Sequence, residues 1–371
     1  MKNRTVLVLG GYGGAGSIIC KGVLKETEVD IIIAGRRKEE AEEQCKQLNR
    51  EFSGNRVSWL FADASDLESL RPAFHGTDIV IVCSNTAEHA DIVARAAIDS
   101  GCDYLDIHFS EAHTPKLLAL RDEMEDRGRC FITQAGSHPG MAPAFIRYAS
   151  SRFESIRKVI IGGTLKIKKI NLEAAKTFLK DMSESRSLVY RDGKWQKANG
   201  KDNLKINFGP DFGRLTCYPT YIYEMEDIPN RFQIDEAGVY MSGLNWFVDW
   251  FAIIPAYLLS VAKNKFTLDL LAHFTVWGVS KFTRSPVGFV YKMEAYGKME
   301  GEEKMMEITT FHTDPYVHTA VPIVSCIRQY LEGTIKKPGL WMMGHIVDPD
   351  RLISDMERMG IEIQIQVANN K

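Results

Sequence analysis

Short apolar runs alternate with amphipathic segments over the first third of the chain. Runs rich in Val and Ile predict buried strands, and apolar positions three and four residues apart predict the helices between them. The six predicted strands are residues 5–9, 30–34, 57–62, 78–83, 104–107 and 130–133. This regular alternation predicts an α/β fold with a doubly wound parallel sheet.

The alternation ends at residue 133, and the rest of the chain mixes helical segments with strand-like ones. Residues 183–231 are rich in Gly, Asp, Tyr and Pro, which predicts strands joined by turns. Residues 361–367 alternate apolar and polar side chains, which predicts a half-exposed strand. Because a chain of 371 residues is too long for one ordinary core, we expect two domains.

Residues 244–282 are apolar almost all round a helix. The run over residues 246–262 is shorter than the roughly 20 residues that cross a bilayer, and it contains Asp249 and Pro255. Both residues are costly in hydrocarbon. We therefore expect this stretch to be buried, as a wall of the substrate cleft or as a dimer face. The alternatives are an acyl-lined pocket and an interfacial, peripheral membrane contact.

A glycine-rich loop joins the first predicted strand to a helix predicted over residues 17–25. Gly11, Gly13 and Gly16 fit the G-x-G-x-x-G pattern of dinucleotide-binding βαβ units. The first glycine makes the tight turn, the second lets the backbone approach a pyrophosphate, and the third lets the helix pack on the strand. The alternative is a purely structural turn. The predicted cofactor loop comprises Gly11, Tyr12, Gly13, Gly14, Ala15 and Gly16.

The end of the second strand favours NADP over NAD as the cofactor. An NAD site places Asp or Glu there to bind the ribose 2′-hydroxyl. This chain has Arg36 and Arg37 instead, and two guanidinium groups can pair with a 2′-phosphate. The competing interpretation is a solvated basic strand end, and NAD stays the alternative cofactor.

Further cofactor contacts are expected at the carboxyl ends of the strands, where ligands bind in open α/β sheets. Asp63 and Ala64 follow the third strand, where the adenine amino group could be bound, although Asp63 could instead cap a helix. The loop after the fourth strand offers hydrogen-bond donors for the pyrophosphate or nicotinamide ribose: Ser84, Asn85 and Thr86.

The same edge of the sheet offers two candidates for proton transfer. His138 and His108 both follow strands, and histidine titrates near neutrality. Hydrogen-bonded loop histidines are the alternative interpretation. Gly140 opens a helix and permits close approach to a nicotinamide. A substrate carboxylate could be clamped by a further set of residues, namely Arg214, Tyr218 and Tyr223.

Composition and charge exclude several classes of protein. The net charge of −2 gives no reason to expect nucleic acid as a partner. Seven dispersed cysteines without C-x-x-C spacing predict free thiols in a reducing compartment, and no metal site. A strand begins within five residues of the N-terminus, which differs from a signal peptide. We therefore expect a cytoplasmic protein.

Several of these motifs occur together in one known family. They are the loop at residues 10–16, Ala34-Gly35-Arg36, Asp63, Tyr104-Leu105-Asp106, Gly136-Ser137-His138-Pro139-Gly140, Thr319-Ala320-Val321-Pro322, Gly333 and Lys337-Pro338-Gly339. Over residues 1–145 and 312–350 the chain resembles the saccharopine dehydrogenase/reductase-like superfamily. The resemblance implies a Rossmann domain split between residues 1–133 and 316–371. It also implies an α+β substrate and dimerisation domain over residues 134–315, and hence a homodimer.

Two functions follow from the motifs and the resemblance. The first is an NADP(H)-dependent oxidoreductase of the saccharopine dehydrogenase-like type. It would transfer a hydride to or from a small molecule that carries an imine, a secondary amine or an activated C=C bond. The second is a catalytically inactive nucleotide-binding protein that senses its cofactor or serves as an interaction partner.

Overall fold

The structure is a computed structural model that describes residues 4–109, 113–259 and 265–369. The chain divides into two compact units, Met1–Ala144 with Tyr316–Met359 and Phe145–Pro315 with Gly360–Lys371. The division differs from the expected domain boundaries at two places. Residues 134–144 group with the first unit, and residues 360–371 group with the second.

Sixteen strands are found in the described residues. In chain order they are β1 Thr5–Leu9, β2 Asp30–Gly35, β3 Val57–Phe61, β4 Ile79–Val82, β5 Asp103–Asp106, β6 Cys130–Thr133, β7 Ser155–Lys166, β8 Leu188–Arg191, β9 Lys194–Lys197, β10 Leu204–Asn207, β11 Arg214–Thr220, β12 Glu236–Ser242, β13 Gly288–Met299, β14 Glu302–His312, β15 Gly339–Met342 and β16 Glu362–Asn369.

The same residues form sixteen α-helices. They are α1 Gly14–Glu26, α2 Lys38–Glu51, α3 Leu67–Phe74, α4 Ala90–Ser100, α5 His113–Leu118, α6 Arg121–Asp126, α7 Ala142–Ser150, α8 Leu172–Glu184, α9 Gly209–Phe212, α10 Ile228–Arg231, α11 Trp246–Val248, α12 Ile254–Leu259, α13 Lys265–Phe282, α14 Pro315–Leu331, α15 Met343–Ile346 and α16 Pro349–Arg358. A π-helical turn, Asp249–Ile253, links α11 to α12.

The first unit is built on a seven-stranded parallel sheet in the order β15-β6-β5-β4-β1-β2-β3. Val8 of β1 lies in register with Ile33 of β2 and with Ile81 of β4. Such Val- and Ile-rich strands are buried on both faces, as parallel sheets with helices on each side require. The doubly wound α/β fold predicted from the sequence is confirmed, and β15 adds a seventh strand that the sequence analysis missed.

The C-terminal part of the chain supplies the first unit with α14, which is buried along most of its length. Tyr330 at its end donates a 2.6 Å hydrogen bond from its hydroxyl to Asp103 Oδ2 at the start of β5. Lys336 Nζ lies 2.9 Å from the same carboxylate oxygen. Residues far apart in sequence therefore complete the parallel sheet and its helical cover.

The second unit is built on a nine-stranded sheet whose main path runs β10-β11-β12-β7-β13-β14-β16. The β12–β7 pair is parallel and the other pairs are antiparallel. The last strand, β16, pairs with β14, so Ile365 lies opposite Ile308. The expected inclusion of residues 360–371 in the Rossmann domain is therefore wrong. The alternating tail fits the edge of an antiparallel sheet, which can leave one face in water.

Within the single chain, much of residues 244–282 is exposed and not buried, while the alternative of a dimer face stays a prediction. Small side chains such as Ala252, Ala256 and Ala272 pack against Ala175 and Leu179 of α8. Because small residues fill the inner side of these helices, the large apolar side chains face outward and are exposed. Residues 260–264 lie outside the described part. No helix in the described residues is long and apolar enough to cross a membrane.

Candidate functional site

The glycine-rich loop folds as a tight turn between β1 and α1. Gly10 has a φ of +84°, donates its N–H to the carbonyl of Ala34 (2.7 Å) and accepts from Gly13 N (2.9 Å). A Cβ added to Gly16 would lie 2.3 Å from the carbonyl oxygen of Gly10. Helix and turn therefore approach too closely for any side chain at position 16. The left-handed residue of the turn is Gly10 and not Gly11, since only Gly10 of the two has a positive φ. At Gly11 a Cβ would meet Cys20 Sγ at 3.1 Å, so packing against α1 limits that position.

The helix that follows offers its N-terminus to an anion. It begins at Gly14, three residues earlier than expected, so Gly14, Ala15 and Gly16 form its first turn. Gly13 is the N-cap and provides no side-chain hydrogen bond to the N–H groups of that turn. These N–H groups and the positive end of the helix dipole suit a phosphate group. The loop and the helix therefore fit a dinucleotide pyrophosphate.

The two arginines at the end of β2 have different surroundings. The Arg37 guanidinium lies 4.7 Å from the Tyr12 ring centroid, and its Nη1 lies 2.6 Å from Glu40 Oε1. Arg36 has 71% of its side chain exposed, and its Nη1 lies 4.0 Å from Asp63 Oδ2. Arg36 is therefore the more available cation for a 2′-phosphate.

Asp63 closes a turn after β3 and does not cap a helix. Its Oδ1 accepts hydrogen bonds from Ser65 N (3.0 Å) and Ser65 Oγ (2.7 Å), and these bonds lower the pKa of the Asp63 carboxyl. Asp66 caps α3 through Glu68 N. The helix-cap alternative for Asp63 is therefore wrong. Ala64 beside it is buried.

The loop after β4 lies directly beside the glycine-rich loop. A Cβ on Gly10 would lie 2.9 Å from Ser84 N. Ser84 Oγ and Thr86 Oγ1 are 2.8 Å apart, and Asn85 between them is exposed. Because β1 is flanked by β2 on one side and β4 on the other, the two loops meet where the strand order reverses. Ligands of doubly wound sheets bind at this switch point.

In the turn after β6, two glycines bring the backbone into close contact with itself. Gly140 has a φ of +130°, and a Cβ there would lie 2.2 Å from the carbonyl oxygen of Gly136. Helix α7 begins only at Ala142. The expectation that Gly140 opens a helix is therefore wrong, since its missing side chain makes room for backbone. Ser137 Oγ lies 2.7 Å from both Nδ1 and the carbonyl oxygen of His318.

Both predicted histidines lie in surroundings that disfavour the charged imidazole. Burial lowers the pKa of His138 to about 4, and its ring centroid lies 5.6 Å from that of Phe109. Burial also lowers the pKa of His108 to about 4, although Asp106 partly opposes the shift. Both imidazoles are therefore neutral at pH 7.

A buried acid–base pair lies at the end of β5, and the sequence analysis missed half of it. His113 Nε2 is 2.8 Å from Asp106 Oδ2, and both side chains are fully buried. Burial by itself would raise the pKa of Asp106. The interactions of its carboxylate with His113 and His108 are together stronger than this effect, and they lower the pKa to about 2. His108 N donates to Asp106 Oδ1 (3.0 Å), and the rings of His108 and His113 are 4.6 Å apart.

Several polar atoms around this pair are buried without a protein hydrogen-bond partner. They are His108 Nε2, His113 Nδ1, Thr114 Oγ1, Thr133 Oγ1 and Gln134 Oε1. Buried polar groups are normally satisfied, so these atoms indicate room for water or a ligand group at the ends of β5 and β6. The sequence did carry a signal for this cluster: Asp106 lies near the end of a predicted strand, and His108 and His113 follow it two and seven residues later. No group of His, Cys, Asp or Glu in the described residues is arranged to hold a metal ion.

The predicted substrate clamp lies in the second unit and is spread along one strand. Arg214 begins β11 and is exposed, and Tyr218 is exposed on the same face. Because the two residues are four positions apart along the strand, their Cα atoms are separated by about 13 Å. Tyr223 follows in a separate 3-10 turn and is half-buried. The structure does not bring these three side chains to one point.

The first unit thus carries the site of a dinucleotide-binding Rossmann domain. Residues 6–132 match the family model described as the saccharopine dehydrogenase NADP binding domain. The predicted resemblance to the saccharopine dehydrogenase-like superfamily and the prediction of NADP as cofactor are confirmed by this match.

Two known proteins extend the comparison. A stretch of 143 residues is 29% identical to a "probable mitochondrial saccharopine dehydrogenase-like oxidoreductase" of Arabidopsis thaliana, covering 35% of this chain and 31% of that protein. The chain thus spans about a third of that relative's length. The apo saccharopine dehydrogenase (L-Glu forming) of Saccharomyces cerevisiae aligns with a TM-score of 0.70 at 14% identity, over 99% of this chain and 100% of that chain. At this identity the alignment shows a shared fold.

Proposed function

We propose that this protein is an NADP(H)-dependent oxidoreductase that transfers a hydride to or from an imine, a secondary amine or an activated C=C bond. The observation that carries the proposal is the close packing of Gly16 on Gly10 beneath the uncapped start of α1. Because Gly13 provides no side-chain cap, the backbone N–H groups at the start of α1 are offered to a pyrophosphate. Arg36 at the end of β2 supplies the cation for a 2′-phosphate.

When bound, the nicotinamide supplies or accepts the hydride at a substrate carbon, while a proton moves at the neighbouring atom. The chain's own residues bind and orient the two reactants. Ser84 and Thr86 offer hydroxyl groups beside the glycine-rich loop for the pyrophosphate or the ribose. Arg214 remains our proposal for the cation that binds a substrate carboxylate, without Tyr218 and Tyr223 converging on the same group. We also propose that residues 145–315 provide substrate binding and a homodimer contact in a cytoplasmic enzyme.

We assign proton transfer to the buried cluster at the end of β5. The Asp106 carboxylate accepts a hydrogen bond from His113 Nε2, which fixes the ring and leaves Nδ1 to exchange a proton. His108 Nε2, which also has no protein partner, can relay that proton. His138 is the alternative proton carrier from the neighbouring turn.

The experiment is a titration followed by a turnover screen. NADPH fluorescence should show saturable binding, tighter than that of NADH. Imines, secondary amines and enones are then screened for oxidation or reduction of the cofactor. Turnover of one class, reduced at least a hundredfold in His113→Gln with NADPH affinity unchanged, supports the proposal. Failure to bind either nucleotide contradicts it.

A nucleotide-binding protein without catalysis is the second candidate function. The observation that favours it is the low pKa of about 4 for both His108 and His138, because neutral imidazoles are poor proton donors at pH 7. This candidate predicts NADPH binding with no turnover of any substrate class. The same titration and screen therefore distinguish the two functions.

A further inference from the structure

One side of the second unit carries an uncovered apolar surface, here called the aromatic face. Its exposed side chains come from α11, the π-helical turn, α12 and α13, namely Trp246, Trp250, Phe251, Ile254, Tyr257, Leu258, Leu259, Phe266, Leu270, Phe274 and Trp277. Trp250 is 66% exposed, Leu258 72% and Phe266 78%. Apolar patches of this extent on a soluble surface mark interaction sites.

The packing of the helices themselves keeps these side chains outside. The inner side of the helices is filled by small residues packed on α8, such as Ala252 and Ala272. A Cβ on Gly278 would lie 2.5 Å from Phe247 Cδ1, so α11 and α13 are in close contact. No space is left on the inner side for Trp250 or Leu258. The exposure of the aromatic face is therefore a property of the folded unit.

A cationic groove lies at the edge of the aromatic face. It has a volume of about 410 Å3 and is lined by Trp246 and Phe282 together with Lys166, Lys281 and Arg284. None of these three cations forms an ion pair with a carboxylate in the described part of the chain. The groove therefore combines aromatic lining residues with cations that lack a carboxylate partner among the described residues, and Lys166 Nζ also lies 5.3 Å from the ring centroid of Phe212.

The carboxylates of the same helices do not offset this charge. Asp269 of α13 is paired with Lys176 of α8 at 2.8 Å. Asp249 is half-buried and accepts a hydrogen bond from Leu244 N at 2.9 Å, and this burial raises its pKa to about 6. Over residues 244–284 the sequence has four basic residues and two acidic ones. The surface is thus apolar at its centre and positive at its edge.

We propose that the aromatic face docks on an anionic phospholipid bilayer, with the cationic groove holding a lipid phosphate group. Exposed Trp and Leu side chains favour the boundary between headgroups and acyl chains, and Lys and Arg at the edge attract anionic lipid. A second copy of the chain fits less well. A two-fold interface would bring the same surface to both sides, and the described residues of this surface offer no carboxylate to pair with Lys281 and Arg284, because Asp269 is paired with Lys176 and Asp249 accepts a hydrogen bond from Leu244 N.

Flotation with phosphatidylcholine vesicles, with and without phosphatidylserine, tests this proposal. The full chain should float with the phosphatidylserine vesicles and bind the neutral ones at least tenfold more weakly. Trp250→Ser with Leu258→Ser should reduce binding to both at least tenfold. Lys281→Glu with Arg284→Glu should remove the preference for phosphatidylserine, at about fivefold for each basic residue lost.

The matched control is Ile365→Ser with Val367→Ser, an exposed apolar pair on β16 outside the aromatic face. This control should bind vesicles like the unaltered chain, and thermal unfolding should show that all variants are folded. Absence of flotation with every vesicle contradicts the proposal. So does equal binding to both vesicle types that charge reversal leaves unchanged. A dimer that Trp250→Ser converts to monomers, without vesicle binding, would assign the face to a second copy.

Discussion

Arg36 and Arg37 are neighbours in the sequence, yet only their surroundings tell which one is available to a phosphate. The sequence predicted a basic end to β2 but gave no ground for ranking the two residues. Glu40 and Tyr12 engage Arg37, and both contacts depend on how α2 and the glycine-rich loop pack beside β2. Arg36 points into solvent near Asp63.

We expect Arg36→Ala to lower the affinity for NADPH about ten- to a hundredfold, with little change for NADH. A charge-assisted hydrogen bond contributes about 1.5–3 kcal/mol, which corresponds to that range. Arg37→Ala should have a smaller effect, because Glu40 already partly neutralises Arg37. Fluorescence titration with both cofactors measures the ratio. An unchanged NADPH/NADH ratio in the double variant would disprove the role of both arginines.

The buried histidines predict that stability falls in mild acid. Burial lowers the pKa of His108 and of His138 from 6.5 to about 4, so only the unfolded chain takes up these protons between pH 6.5 and 4. The resulting destabilisation is absent above pH 6.5 and grows as the pH falls towards 4, by at most about 3 kcal/mol for each histidine. Asp106, with a pKa of about 2, adds a further loss below pH 4.

Urea unfolding at pH 7, 5 and 4 measures this dependence. We expect His138→Gln to flatten the decline between pH 6.5 and 4, because the glutamine side chain takes up no proton in either state. Identical slopes for the variant and the unaltered chain would show that His138 is not responsible.

At the scale of the element, the contact between α1 and its preceding loop is the part that the sequence predicted best. The G-x-G-x-x-G spacing requires a strand, a turn and a helix, and the structure has all three. The pattern did not reveal that α1 begins at Gly14 or that Gly10 carries the left-handed conformation. Gly10 lies against Ser84 of the loop after β4 and Gly14 lies against Tyr316 of α14, and no local pattern encodes either contact.

We expect Gly16→Ala to weaken NADPH binding at least tenfold and to lower the free energy of unfolding by about 1–3 kcal/mol. The new methyl group would lie 2.3 Å from the carbonyl oxygen of Gly10, so helix and turn must separate. Gly200→Ala is the matched control, since a Cβ there meets nothing within 4 Å. Equal cofactor affinity in both variants would contradict this account of the loop.

One hydrogen bond at the end of α14 can be tested apart from the apolar packing of that helix. Tyr330→Phe removes the 2.6 Å bond to Asp103 and leaves that buried carboxylate with Lys336 as its nearest cation. A bond to a charged group contributes about 1.5–3 kcal/mol, and we expect a loss of that size in urea unfolding. The exposed Tyr218→Phe serves as control and should change stability by less than about 0.5 kcal/mol.

On the scale of the whole molecule, local patterns predicted the parallel sheet and failed for the parts that long-range packing decides. The first six strands could be read from runs of Val and Ile. The short strand β15 could not, because Gly339–Met342 is recognisable only beside β6. The apolar residues 244–282 predicted burial, but a single sequence does not show which side of a helix meets α8. The pairing of His113 with Asp106 was missed because the two residues are seven positions apart and no local pattern links them.

The path of the chain has a consequence for its biosynthesis. The first unit contains residues up to 144 and also α14 and β15. The 171 residues of Phe145–Pro315, which lie between these two parts in the sequence, belong to the second unit. Until the ribosome has made Met342, the nascent sheet keeps β6 as an open edge, and edges of this kind invite pairing with other chains. The segment between the two halves must therefore emerge before the nucleotide-binding fold can close. A gene fragment that ends near residue 145 would encode an incomplete sheet prone to aggregation.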